Sequence, residues 1–381
     1  MSRFLMAMAA ALTIVAAPVR AESVTIGVIA PLSGAGAAWG VALTEGVRFA
    51  IEDATRDGAI DIGGRPVKIN LVAYDDQYKA SEALAAYNRL VTQDMAKYVI
   101  VLTSNATLAV KQSAQSDDVL VLTSAASNKA IDADTKHVIR LMSTPKDYVP
   151  GVVAWMKDNL RGNRVAIFNP NDETGWEITD VSVAAFEARG FTIVSKELYE
   201  RSQKDFLPVL TRILATKPDV IELGGSSPAT AGSIVRQARE LGYTKSFSAF
   251  GGPGPREVVA AAGFQAAEGM VNILYADPAN KGYQDLVARF KAKIGQPPNE
   301  FIVPCYDATR VLLQAIALSG EPANPNKVAT AFSRVMPMKS LQGAPLNFGG
   351  RTTIGLDAQI MSPIFVGNIR NGEPVAVGVA K

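Results

Sequence analysis

The chain has 381 residues, 38 of them lysine or arginine against 36 aspartate or glutamate, with one histidine, one cysteine and 48% hydrophobic residues. At about 100–200 residues per domain this is enough for two domains with real cores. The balanced charge, without Lys/Arg clusters interleaved with aromatics, argues against nucleic acid as a partner; the residue counts rule out an intrachain disulfide and a Cys/His zinc site.

Arg3 precedes an apolar run from Phe4 to Ala17, and Val19-Arg20-Ala21 is a small-x-small cleavage pattern. Residues 1–21 therefore read as an export signal: the run is shorter than the about 20 apolar residues of a membrane span, and Pro18 breaks it. No cysteine stands at the cut to take a lipid, so the expected product is a monomer free in the periplasm. Removing Arg3 and Arg20 leaves 36 basic against 36 acidic residues. Cys305 is expected to serve packing.

From there, apolar β-branched runs alternate with amphipathic stretches. Strands are predicted at 24–29, 67–73, 98–102, 119–122, 165–168, 191–196, 220–223 and 247–250. Helices are predicted at 81–91, 149–159, 178–189, 206–215, 229–241 and 307–318, with a strand-like, Gly/Pro-punctuated tail over 341–379. Strands that are apolar throughout, rather than at every second position, indicate parallel sheets covered on both faces. The fold class is α/β, with two doubly wound parallel-sheet lobes. Polar, proline-containing crossings near 142–146 and 275–280 divide the chain. The expected first lobe is 22–143 plus 276–348, and the second 144–275 plus 349–381.

Open α/β sheets bind ligands beyond the carboxyl ends of their strands, which directs attention to the loops at 33–40, 103–107, 123–128, 169–176, 224–228 and 251–255. These are rich in Ser, Thr, Asn and Gly, and at a helix start such loops hold anions on backbone N–H groups. Gly34, Gly36 and Gly40 miss the dinucleotide spacing by one residue, and neither a phosphate-loop motif nor a nucleophile elbow occurs. Asp75 and Asp76 read as the capping start of a helix. His137, the sole imidazole, lies in a polar turn and reads as packed or solvated rather than catalytic. No nucleophile has a base beside it, so catalysis and a cofactor are not expected.

Several segments taken in order, "IGVIAPLSGAGAAWG", "GGRPVKINLVAYDDQ", "VIVLTSNAT", "VLVLTSAASN", "KDFLPVLTRILATKPDVIELGG", "IVRQARELG" and "AAEGM", resemble the type I periplasmic solute-binding proteins of ABC importers, the leucine/isoleucine/valine-binding group. The resemblance covers nearly all of the chain after residue 21. It implies a Venus-flytrap fold with three crossing segments, a small-molecule carboxylate as ligand and ABC permease subunits as partners. It further implies that Ser104 and Asn105, with Ala125, Ala126 and Ser127, hold the carboxylate, while Leu102, Thr103 and Phe301 line the side-chain pocket. Thr174, Ser226 and Gly252 close over the ligand from the second lobe. Trp39 is expected against the ligand, a core position being the alternative, and Trp176 is open to an interlobe packing role.

Amino-acid binders of this family carry an acid where Gly252 stands, to pair with the ammonium, and tyrosines where Thr174 and Ser226 stand. A buried ammonium without a counter-ion is costly, and the lost bulk suggests a larger cavity. The expected ligand is an aromatic acid or aryl keto acid. Alternatives are a branched-chain amino acid, with Asp172 or Glu173 pairing its ammonium, and a periplasmic sensory receptor.

Overall fold

The computed structural model describes residues 22–252 and 254–380; the expected export signal lies outside them. The chain begins with β1 (Glu22–Ala30), α1 (Ala37–Ala54), β2 (Ile60–Ile62), β3 (Arg65–Asp75), α2 (Ala80–Thr92), β4 (Tyr98–Val101), α3 (Ser104–Ser116), β5 (Leu120–Thr123) and β6 (Val138–Arg140). It crosses to α4 (Pro145–Asn159), β7 (Arg164–Pro170), α5 (Glu173–Ala188), β8 (Thr192–Tyr199), α6 (Leu207–Ala215), β9 (Val220–Glu222), α7 (Pro228–Glu240), β10 (Ser246–Ala249), α8 (Pro255–Ala262), α9 (Phe264–Ala267) and β11 (Val271–Leu274). It then returns through α10 (Lys281–Ile294), α11 (Ile302–Ser319), α12 (Pro325–Val335), β12 (Met338–Lys339), β13 (Pro345–Gly349), α13 (Arg351–Ile354) and β14 (Gln359–Met361). It ends in the second lobe with β15 (Phe365–Arg370) and β16 (Glu373–Val379).

The first sheet has the order β12-β13-β14-β6-β5-β4-β1-β3-β2 and the second β16-β15-β11-β10-β9-β7-β8. Their central strands are parallel. β4 and β5 are buried at every position, as their uninterrupted apolar runs demand when helices cover both faces. In each sheet the order reverses beside the first strand of its lobe, between β1 and β4 and between β7 and β9. The loops leaving such a pair diverge to opposite faces and open a crevice at the carboxyl ends. The two crevices face each other.

Two expectations needed correction. The third crossing falls after Met361, not at 348, because β13 and β14 extend the first sheet: β14 pairs with β6 through Gln359 and Arg140, and Leu346 and Ile360 are buried in that lobe. Turn residues in the tail mark where strands end, not which sheet they join. Asp75 and Asp76 do not cap α2, whose N-cap is Lys79; instead each accepts a backbone N–H two residues on, from Gln77 and Tyr78, at 2.8 Å.

Candidate functional site

The first-lobe wall of the cleft grows from the ends of β4 and β5. Thr103 caps α3, its Oγ1 accepting the Ala106 N–H at 3.1 Å, and the first-turn amides of Ser104 and Asn105 have no intrahelical partner. Thr107 and Thr123 share a hydroxyl contact of 2.6 Å, and Thr123 Oγ1 accepts the Ala125 N–H at 2.9 Å. Ser104 Oγ accepts the N–H groups of Ala126 and Ser127 at 3.1 and 3.2 Å. The β5 loop is thereby fixed against the start of α3, so both helix dipole and hydroxyls face one spot.

Aromatic rings complete the chamber. Trp39 enters from α1, Tyr78 from the turn after β3, Tyr148 from α4, Tyr275 from the second crossing and Phe301 from the segment before α11. Tyr275 and Phe301 meet edge to face at 5.5 Å. Gln77 and Tyr78 hold positive φ of 49° and 62°, a left-handed turn secured by the two aspartates that aims the Tyr78 ring inward. Burial pushes its phenol up to about 12, so it stays a neutral O–H. Arg140, at the end of β6, is fully buried in the same wall. Burial pulls its guanidinium down to about 10 against the pull of Glu177 and Asp147, which leaves it charged at neutral pH.

The lobes are closed on a cavity of about 60 Å³, room for about four to six water molecules. The Trp39 indole N–H donates to the Gly252 carbonyl at 2.9 Å, and the Thr174 hydroxyl to Ser104 Oγ at 3.1 Å. At the rim the Asn128 N–H donates to Glu177 at 3.1 Å, and Lys129 pairs with Glu173 at 3.0 Å. The Arg201 guanidinium lies 3.9 Å from the centre of the Tyr78 ring. Each such bond contributes only about 0.5–1.5 kcal/mol net, enough for a set of them to hold a hinge that a ligand can also bias. Two facing lobes with a latched, buried chamber between them describe a receptor that folds over a solute.

A family model for periplasmic binding proteins matches residues 23–374. The chain belongs to that family. Its members are extracytoplasmic solute-binding receptors of ABC transporters, not enzymes, and work with membrane permeases. The chain is 26% identical over 317 residues to the leucine-, isoleucine-, valine-, threonine- and alanine-binding protein of Pseudomonas aeruginosa, covering 82% of each. Its fold matches a leucine binding protein of Thermotoga maritima (TM-score 0.81, 23% identity, 94% of this chain and 99% of that one). It also matches a Rhodopseudomonas palustris solute binding protein solved with benzoate (0.80, 20%, 94% and 96%). Among the described residues no helix is long and apolar enough to cross a membrane.

Within this binding protein, Trp39, Leu102, Thr103, Ser104, Ala125, Ala126, Thr174 and Phe301 line the cavity. Four expected residues stand outside its wall. Asn105 lies on the first turn of α3, Ser127 behind Ser104, and Ser226 in the second lobe under the Tyr199 hydroxyl at 2.9 Å. Gly252 contributes its carbonyl to the Trp39 latch; a Cβ on it would come within 2.5 Å of Tyr275 Cε2. Tyr78, Tyr148 and Tyr275 add three further rings to the lining from other elements. The amides of Ala125, Ala126 and Ser127 are already committed to Thr123 and Ser104, which leaves those of Ser104 and Asn105 as the open donors of that group.

Neither candidate for an ammonium partner stands free. Asp172 caps α5 through the N–H groups of Thr174 and Gly175 and is paired with Arg201, while Glu173 is paired with Lys129. Trp176 is half exposed at the rim with the Lys129 ammonium 5.8 Å from its ring centre. Tyr78, Arg140, Tyr148 and Tyr275 were not anticipated. A polar Asp-Asp turn ahead of residue 78 was the one local signal for Tyr78.

Proposed function

We propose that the protein captures a small aromatic carboxylate, a benzoate or aryl keto acid, by closing its lobes, and presents the closed form to an ABC permease. The observation that carries this is the composition of the wall: five aromatic rings, hydroxyls, the start of α3 and one guanidinium, but no aspartate or glutamate among the described residues that line it. An anion finds donors there, a flat apolar body finds rings to stack on at centroid distances of about 4.5–7 Å, and an ammonium finds no counter-ion. Ligand contacts from both lobes supply the differential affinity that favours the closed state. The neighbour solved with benzoate supports the choice.

The P. aeruginosa relative's name favours a second reading, a hydrophobic amino acid, whose ammonium would have to rest on hydroxyls and carbonyls. Thermal shift and calorimetry with benzoates, phenyl keto acids and branched-chain amino acids decide between them. Stabilisation by an aryl acid and not by leucine is expected; leucine alone would overturn the choice.

A further inference from the structure

Arg140 is the one charged side chain in the cavity wall among the described residues, and it is not fully partnered. Its Nη2 donates to the Ser127 carbonyl, whereas Nε and Nη1 have no partner in the protein. The carboxylates near it pull on that charge from a distance, but neither of them bonds to the guanidinium. Glu177 on α5 is bonded to Asn128, and Asp147 on α4 accepts from Thr144 and from Gln359. Gln359, opposite Arg140 in the sheet, turns its amide nitrogen to Asp147 and Met361. A buried cation with free donors is an unfavourable arrangement unless an anion joins it, and Arg140 is one of the residues that line the ligand chamber.

We infer that Arg140 is the counter-ion of the ligand's carboxylate and the residue that makes the cleft select acids over their neutral analogues. The planar fork suits a carboxylate. It stands beside Ser104 through their common neighbour Ser127, so that guanidinium and helix start address the same end of the ligand. The inference rests on the proposal that the solute is an organic acid, and it adds that the acid is recognised by charge and not by amides alone.

The test measures binding of acid and amide pairs (benzoate with benzamide, phenylpyruvate with its amide, leucine with leucinamide) to the wild-type protein, Arg140→Met and Arg140→Lys, together with melting of each empty protein. Losing one partner of a buried charge pair costs about 2–5 kcal/mol, so wild type should prefer the acid by about 30-fold or more. R140M should lose most of that preference while holding the amide as before, and R140K should fall between. The empty R140M gives up two unpartnered buried donors along with the bond to the Ser127 carbonyl and the pull of Glu177 and Asp147, and should melt close to wild type; a purely structural arginine would lower it strongly. An acid preference unchanged in R140M, or in the neutral Arg140→Gln should R140M fail to fold, overturns the inference and leaves the aromatic-acid reading standing. If leucine binds and aryl acids do not, yet R140M abolishes its preference over leucinamide, the inference holds and the aromatic reading falls. Binding of uncharged solutes alone removes both.

Discussion

Trp39 performs two tasks at once. Its ring forms cleft wall and its N–H holds the second lobe, and the residue is only 7% exposed. The two tasks separate on substitution. Trp39→Phe keeps a ring but loses the donor, so affinity should fall about 5- to 10-fold, the worth of one hydrogen bond, and small-angle scattering of the empty protein should show a more open average. Trp39→Ala also removes the packing and should weaken binding by about 100-fold or more. Equal affinities for the two variants would show that the ring does not touch the ligand. Residue-scale geometry also explains why an acid at position 252 has no place here. Gly252 sits at φ 67° against the Tyr275 ring, so a side chain there meets both backbone strain and a clash.

At the scale of elements, the helix that carries Trp39 is set by a close approach. A Cβ on Gly40 would lie 2.1 Å from the Pro31 carbonyl oxygen, so the first turn of α1 rests directly on the loop leaving β1. Gly40→Ala should push α1 away, lowering stability by about 2–3 kcal/mol and weakening ligand affinity along with it, since Trp39 is its neighbour. Denaturant unfolding and calorimetry on the same samples check this; full affinity at lowered stability would mean that Trp39 keeps its place without the contact. Elements were legible where burial left a pattern. β4 and β5 follow from their apolar runs, and α2 and α7 from their stripes. α1, buried at eleven of its positions, shows only a narrow polar stripe through Glu45, Arg48 and Glu52 in an otherwise apolar, Gly/Ala-rich run, so its helical period is faint in the sequence. The Thr103–Ser104 turn was legible because strand ends in this fold class face the crevice. Tyr78 and Arg140 were not: one reaches the cleft only through a left-handed turn, the other only because the sheet order places β6 beside β5.

For the whole molecule, stability should depend on pH in a direction unusual for carboxylates. Burial raises Glu222 to about 8 from an ordinary 4.5, opposed by hydrogen bonds from the Phe250 N–H and Asn169, and Glu300 is likewise raised by burial and by Glu257. Between about 4.5 and about 8 the folded chain therefore holds protons that the unfolded chain has released. Stability is fully present below this window and declines as pH rises through it. Glu222→Gln keeps the shape without the titration. It should match wild type near pH 5 and melt higher near pH 8, with a difference of about 1 kcal/mol or more; parallel melting curves across that range would show that Glu222 does not titrate there.

Of the three tryptophans in the chain, Trp39 lies inside the cleft and Trp176 at its lip, whereas Trp155 lies on α4 beside Gly378. Two of three indoles thus change surroundings whenever the lobes part, one of them passing from a dry wall to water. Intrinsic fluorescence becomes a gauge of hinge position, readable without a label, with Trp155 as an internal standard that stays still.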